Sequence, residues 1–425
     1  MKMKKIILFV LIIPLTVVSE TFVDLLRERL ESDTGYLTAL EHMNEAKQLM
    51  RSDTLWFLPY FDLDTRLSLY DEFHLEMNPT ISFNIEGWTF LLSNTISLDE
   101  RNVAERGWTF SLSKELFDDE RIDDLETFSN FLKRKWDLLS SKNRVFKKLV
   151  QEILDSWLKR RKTEILSERI KIMRKKLEED KGKKGRTISK DEILLMEKNI
   201  ISLESNIKKL EKDLIDTVKV NDELYKEVMD IVKSLIRVNV RDFNVENRLD
   251  VKAQKILLEA SKKRERRILL EYLPSPRLYL NWFENPPQGS ENFSIGFELK
   301  WSISDRGERE EKVESIRLDY RIAKANYENL LDTVKKEFEG IKKDLEMVKQ
   351  QRELAEIDLE LARSEYERAS RKFKQGLINE EDLTLSRLNV EEKELELEEQ
   401  KINEILLKLD LLSVVGMDLT SEVME

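Results

Sequence analysis

Imidazole, the side chain most used for proton transfer near neutral pH and for holding metals, occurs only at His42 and His74, and there is no Cys. That removes a thiolate metal site, a thiol nucleophile, a disulfide framework and a lipidated N-terminal cysteine. The adjacent acids Glu310-Glu311 and Glu380-Glu381 have the chemistry for general acid–base work, but they sit in charge-laced helical patterns where solvation is the expectation. No glycine-rich phosphate loop, His cluster or activated-nucleophile motif is present. The sequence therefore predicts no catalytic residue, no cofactor, no metal and no enzyme. With 73 Lys+Arg against 84 Asp+Glu, the formal charge of −11 leaves no cation surplus for nucleic acid.

The elements that carry these residues are long. Gly counts 11 and Pro 7 in 425 residues, and the prolines fall at 14, 59, 79, 274, 276, 286 and 287. Residues 80–273 and 288–425 thus lack the strongest helix breaker. In the second gap Leu331, Val334, Phe338, Ile341, Leu345 and Val348 alternate spacings of three and four, a coiled-coil seam that Leu354, Ile357 and Leu361 resume. The pattern from Glu308 to Gln375 predicts a rod of about 100 Å at ~1.5 Å per residue. A second helical run extends from about Asp119 to Lys181.

Each run ends in a turn, Gly185 to Asp191 and Gly376 to Asp382, with an Asp six residues after the Gly. Both read as tips of helical hairpins. Phe57-Leu58-Pro59 and Tyr272-Leu273-Pro274 also recur, so the chain reads as an internal duplication. The Leu-Pro marks lie 215 residues apart and the tip glycines 191, so the first copy carries 24 extra residues, expected in its strand region.

Between the helices the period changes to two. From Phe293 to Ile303 every odd position is large and apolar, while the even ones, Glu298 and Lys300 among them, are small or polar. Leu278-Tyr279-Leu280-Asn281-Trp282, Ile81-Ser82-Phe83-Asn84-Ile85, Trp88-Thr89-Phe90 and Trp108-Thr109-Phe110 do the same. Such runs fit a soluble sandwich that buries the apolar faces or transmembrane β-strands; tryptophans in or beside the strands and the export-type N-terminus favour the latter, with Trp88, Trp108, Trp282, Phe293, Phe297 and Trp301 toward lipid or in an aromatic girdle, and Glu298 and Lys300 toward a pore. Four to six strands cannot close a membrane barrel, whose smallest forms have ~8, and a rod of about 100 Å has no globular core to lie on. Both halves of the chain require an oligomer.

Lys2, Lys4 and Lys5 precede an apolar run from Ile6 to Val18, with small residues before Glu20, so residues 1–19 read as a secretory signal peptide. The run is about thirteen residues, short of the ~20 needed for a helical span. Its removal takes away three lysines and moves the formal balance from −11 to −14.

With these residues assembled, the chain resembles the TolC-type outer-membrane efflux proteins. Leu299-Lys300-Trp301-Ser302-Ile303-Ser304-Asp305-Arg306-Gly307 is similar to the family's strand-ending W-P-L-F-D-G-G. Phe373-Lys374-Gln375-Gly376-Leu377-Ile378 resembles its Y-x-x-G-x-I tip, and Leu411 to Gly416 resembles its L-x-x-L-G ending. The match is densest from Leu273 to Gly416; the first copy shares only the Leu-Pro and tip-Gly marks. The resemblance implies a mainly α fold with β: duplicated strand–long helical hairpin units, forming a trimeric outer-membrane β-barrel of twelve strands and a periplasmic α-helical barrel, together a tunnel. The implied division is a signal peptide at 1–19 and a first repeat at 20–245, with strands about 60–115 and a hairpin about 119–240. A second repeat follows at 246–416, with strands about 276–304 and a hairpin about 308–415, then a tail at 417–425.

The function implied is passive conduction of substrates exported by an inner-membrane transporter, in a tripartite efflux or type I secretion system. The partners implied are the homotrimer itself, a periplasmic adaptor docked at Gly185, Gly376 and Leu377, the inner-membrane transporter and outer-membrane lipid. Acidic residues after the tips, Glu380, Glu381, Asp382 and Asp191, are candidates for a ring at the periplasmic entrance, where converging carboxylates attract cations. The residue three after Asp382 is Leu385 rather than a second acid, and first-turn acids also complement the helix dipole. Two other readings use the same helices. A HlyD-type periplasmic adaptor would carry one hairpin in a split lipoyl-like domain, and a non-conducting coiled-coil spacer would have no use for two-faced strands.

Overall fold

The computed structural model describes residues 21–54, 60–68, 74–85, 88–99, 102–115, 120–182, 190–215, 218, 220–237, 244–285, 290–300 and 306–421. The signal-peptide candidate 1–19, tip Gly185 and Trp301 lie outside the described residues. In chain order the elements are α1 (Phe22–Ser32), α2 (Thr34–Thr54), β1 (Tyr60–Ser68), β2 (His74–Ile85), β3 (Trp88–Asp99), β4 (Asn102–Glu115), α3 (Glu120–Gly182), α4 (Lys190–Leu214) and α5 (Asp222–Ile236). Then come α6 (Leu249–Arg266), β5 (Ser275–Asn285), β6 (Ser290–Lys300), α7 (Glu308–Lys374) and α8 (Glu380–Val415). The first strand set has four strands and the second two, where a twelve-strand trimer takes four from each chain. The extra residues of the first copy form a further hairpin. The return arm of the first helical hairpin is broken into α4 and α5, because the Asn221 side chain accepts the Leu224 N–H at 2.7 Å and starts a new helix.

α3 and α7 are the two rods, at 63 and 67 residues. Near the sheet α2 packs on α3, α3 on α6 and α6 on α7, with no broad contact across the row among the described residues. These four helices are therefore a single-layer wall rather than a bundle. Ser129 on α3 donates to the Ala253 carbonyl of α6 at 2.7 Å, and Arg264 of α6 pairs with Glu126 of α3 at 2.8 Å. Toward the tips the shorter partners change to α4 and α8. Ile170 and Leu177 of α3 bury Ile200 of α4, while Arg169 reaches Glu392 of α8 at 2.8 Å.

At mid-height α3 is thickened by a compact core. Phe22 and Leu26 of α1, Phe146, Leu149 and Ile153 of α3, Val228, Val232 and Leu235 of α5, and Ile402, Leu409 and Leu412 of α8 converge there. The segment after α8 docks on α3 through Asn143, which donates to the Met417 carbonyl at 2.7 Å and accepts the Leu419 N–H at 3.0 Å.

The α7 seam departs from the sequence expectation beyond Val348. Val334, Phe338 and Leu345 are buried, as the spacing predicts, but the buried line runs on to Leu359 and Ala362. It passes Arg352, whose guanidinium reaches the buried Glu404 of α8 at 2.7 Å. Met347, Leu354, Ile357 and Leu361 form a second stripe that is 54–63% exposed. Residues 345 and 347 lie on faces about 200° apart at ~3.6 residues per turn, so one helix offers two apolar stripes to two different neighbours.

The six strands make one antiparallel sheet in the order β1-β2-β3-β4-β5-β6. The register aligns every strand's apolar set: Phe61 with Ile81, Ile81 with Leu92, Leu92 with Phe110, Phe110 with Trp282, and Trp282 with Phe293. A slip of one residue in any strand would break this line, so the alternation in the sequence fixes the pairing. No helix packs broadly on either face of the sheet among the described residues.

Candidate functional site

The sheet separates two chemistries. On one face stand Trp88, Phe90, Leu92, Trp108, Leu278, Leu280, Trp282 and the β6 row Phe293, Ile295, Phe297 and Leu299. Within the chain this face is uncovered: Phe293 is 62% exposed, Ile295 71% and Leu299 56%. On the opposite face stand Thr80, Ser93, Thr109, Ser111, Asn281, Ser294, Glu298 and Lys300.

That second face is wet in its bonding as well as its composition. Ser111 donates to the Asn281 carboxamide oxygen at 2.7 Å, and Arg277 donates to Ser113 at 3.0 Å, so hydroxyls and an amide tie β4 to β5. Gly296 stands opposite Tyr279, whose ring occupies the space a Cβ would take, at 2.2 Å. A glycine in a strand interior lets the neighbouring aromatic ring lie flat across it.

All the candidate membrane residues within the described set fall on the side their alternation indicates: Trp88, Trp108, Trp282, Phe293 and Phe297 on the apolar face, Glu298 and Lys300 on the polar one. Trp88 lies at the end of β3 nearest the helices, with the Lys114 ammonium 5.3 Å from its ring centroid. Trp282 and Phe293 lie toward the opposite rim. The Asn94 amide oxygen, buried on the apolar face at the bulge between β3 and β4, has no hydrogen-bond partner. The pattern of alternation carried no signal for that position.

The helical tips form the other chemistry-bearing cluster. Gly376 adopts φ 71° after α7, the Leu377 N–H donates back to the Lys372 carbonyl at 2.9 Å, and the Gly376 N–H to Phe373 at 2.9 Å. This pair of bonds needs a left-handed residue at the glycine. Leu377 is 69% exposed at the turn. Asn379 then caps α8, its side chain accepting the Asp382 N–H at 3.0 Å.

Of the tip acids, Glu381 is buried and accepts from Lys175 of α3 at 2.5 Å, while Asp382 accepts from Lys176 at 2.6 Å. The Glu381 carboxylate, by hydrogen bond and charge, holds the Lys175 ammonium above its ordinary value. Glu380 is exposed, and Asp191 is exposed in the first turn of α4. The two lysines were missed from sequence because nothing in a charge-laced helix marks which Lys faces a tip 206 residues away. No cluster of His, Cys, Asp and Glu able to hold a metal is present among the described residues, and no helix among them is long and apolar enough to cross a membrane.

No family model matches the chain, and no curated protein sequence does. Solved structures do. The outer membrane channel CmeC of Campylobacter jejuni superposes with a TM-score of 0.58 at 16% identity, over 92% of this chain and 85% of that one. The outer membrane protein VceC of Vibrio cholerae gives 0.61 at 13%, over 93% and 96%. The open state of the MtrE outer membrane channel of Neisseria gonorrhoeae gives 0.62 at 12%, over 93% and 89%. The fold, long helices carrying an antiparallel sheet, is that of these channels.

Proposed function

We propose that this chain, with the fold of the outer membrane channels, is itself one: a channel-tunnel whose copies pool their strands in the outer membrane and whose helices extend into the periplasm. The observation that carries the reading is the sheet, a single layer with an exposed apolar face on one side and a hydrogen-bonded polar face on the other. A soluble sheet covers such an apolar face with a second layer. Here hydrocarbon is the covering that suits it, and water suits the other face. The open wall of four helices and the second stripe on α7 support the same assembly, since a helix in a ring wall needs a neighbour on each side.

In this reading Trp88, Trp108, Trp282, Phe293 and Phe297 meet lipid, and Glu298 and Lys300 line the lumen. The exposed turn at Gly376 and Leu377 receives a periplasmic adaptor, behind which an inner-membrane transporter supplies the substrate; Gly185, the counterpart of Gly376 in the sequence duplication, is assigned the same role. Conduction is passive and the chain performs no chemistry of its own. Among the three acids after Gly376, Glu380 is the one left to solvent at the entrance, because the carboxylates of Glu381 and Asp382 are committed to α3 lysines. A non-conducting spacer has no need of the two-faced sheet.

The test is a detergent-extracted preparation measured for oligomer mass and for single-channel conductance in a planar bilayer. A trimer with discrete conductance steps is expected. A detergent-free soluble monomer without conductance returns the chain to the spacer reading.

A further inference from the structure

We infer that the extra hairpin β1–β2 is part of the membrane ring, so that three copies close an eighteen-strand barrel through a seam between β6 of one chain and β1 of the next. The inference rests on the channel reading and deepens it. Its occupant for the two open sheet edges is a second copy of this chain, and four observations point there.

The first is the order of the flanks. Strand β1 follows α2 and β6 precedes α7, and these are the outermost members of both layers: α2 and α7 end the helical wall, β1 and β6 end the sheet. A neighbour that sets its α2 beside α7 therefore brings its β1 beside β6. One docking closes both rings.

The second is direction and face. Six antiparallel strands leave β1 and β6 running opposite ways, so their pairing continues the antiparallel ladder. Phe61 and Leu63 share the apolar face with Phe297 and Leu299 through the register of the sheet, and all four are at least 50% exposed. Bringing the edges together makes the apolar belt continuous around the ring.

The third is charge. The start of β1 and the end of β6 both adjoin the helices, and Asp62, Asp64, Glu298 and Lys300 share the polar face. An antiparallel seam with Asp64 opposite Lys300 is a favourable cross-strand combination, whereas one with Asp62 opposite Lys300 sets Asp64 against Glu298.

The fourth is perimeter. Strands ~4.8 Å apart and tilted ~40° each take up about 6 Å of circumference, so six of them cover about 38 Å. Four wall helices at ~9 Å cover about 36 Å. Six strands and four wall helices therefore agree in perimeter, and a ring that includes β1–β2 fits on the wall without spreading it.

The experiment uses the absence of native cysteine. Full-length chains carrying Lys300→Cys with Asp62→Cys, and Lys300→Cys with Asp64→Cys, are oxidised in outer-membrane-like vesicles and run in SDS without reductant. The expected result is a ladder of covalent dimer and trimer from at least one pair, lost on reduction. The competing arrangement, a twelve-strand ring that leaves β1–β2 outside, places β3 of the neighbour against β6. It would cross-link Lys300→Cys with Thr89→Cys instead. Cross-linking of that pair alone, or an intrachain product from the Asp62 or Asp64 pairs, overturns the inference while leaving a trimeric channel intact. A monomer by native mass with no interchain product from any pair overturns the channel reading as well.

Discussion

Ile295 tests the membrane reading most directly. It is the sixth of eleven residues in β6, it lies on the apolar face, and it is 71% exposed within the chain. Eleven residues at ~3.3 Å, tilted by ~40°, rise roughly 28 Å, about the height of the ~25 Å apolar band of an outer-membrane barrel. In the proposed channel Ile295 is therefore near the bilayer midplane. Replacing it by arginine should cost about 2–4 kcal/mol per copy, and about 6–12 kcal/mol for a trimer if the three distant sites add. In water the same substitution at so exposed a position should change stability by no more than about 0.5 kcal/mol. The preceding residue, Ser294, is exposed on the polar face, and Ser294→Arg is the matched control. Both variants are folded into lipid vesicles, and the denaturant midpoint of unfolding is read by tryptophan fluorescence. A large fall for Ile295→Arg with little change for Ser294→Arg is expected. Equal, small effects in both would refute the assignment of this face to lipid.

Four further outcomes follow from the helical half. Glu404 is buried between Arg352 at 2.7 Å and Lys408 at 2.6 Å, so Glu404→Gln should destabilise the α7–α8 pairing by roughly 1–3 kcal/mol, read by thermal melting. Burial alone pushes the Glu404 carboxyl up, but the Lys408 and Arg352 contacts together hold it below its ordinary 4.5; at Asp418 the Thr420 bonds and Lys142 likewise outweigh burial and hold the carboxyl below 3.8. Both groups bind fewer protons folded than unfolded, so their stabilisation is present above those ordinary values and lost as pH falls through the lowered ones; Glu404→Gln should flatten the acid limb of a stability–pH curve. Gly376→Ala meets open space but φ 71°, whereas Gly416→Ala meets φ 87° and Trp136 at 3.2 Å, so both should lower the melting midpoint and Gly416→Ala the more, with Gly376→Asn tolerated best. At the entrance, Glu380→Gln should weaken multivalent-cation block of single channels more than Asp382→Ala does, because the Asp382 charge is already met by Lys176; the reverse order would move the entrance ring to Asp382.

What the sequence made legible follows from how local each signal is. The period-two runs identified strands and their faces because alternation survives in any antiparallel pairing; Leu280 and Ile295 needed no knowledge of the partner to be placed on the apolar side. The helix ends were equally local, since a glycine in the left-handed region writes itself into the chain as Gly376 and Gly416 do. The α7 seam was legible to Val348 and then misread. Leu354, Ile357 and Leu361 have the right spacing, but a stripe's spacing says nothing of which neighbour it faces, and here it belongs to a second, uncovered face. The tip pairs Lys175–Glu381 and Lys176–Asp382 were invisible for the same reason: they are decided by how α3 and α8 lie together.

Strand number is the sharpest instance of that divide, and it bears on how such a tunnel is sized. The resemblance is densest in the second copy, which has two strands, and an even duplication would give each chain four. The first copy departs from that count by inserting a whole hairpin, which preserves the alternation of direction and leaves β1 and β6 antiparallel at the edges. A single added strand would have left the two edges parallel and broken the closure of the ladder. Growth by hairpins is thus the increment that a ring of identical chains tolerates, because each insertion widens the ring while keeping both faces of the sheet, and the register of their apolar line, unchanged. The helical wall sets how far that growth can go, since a perimeter larger than four helices per chain would open a gap where β1 and β6 descend into α2 and α7.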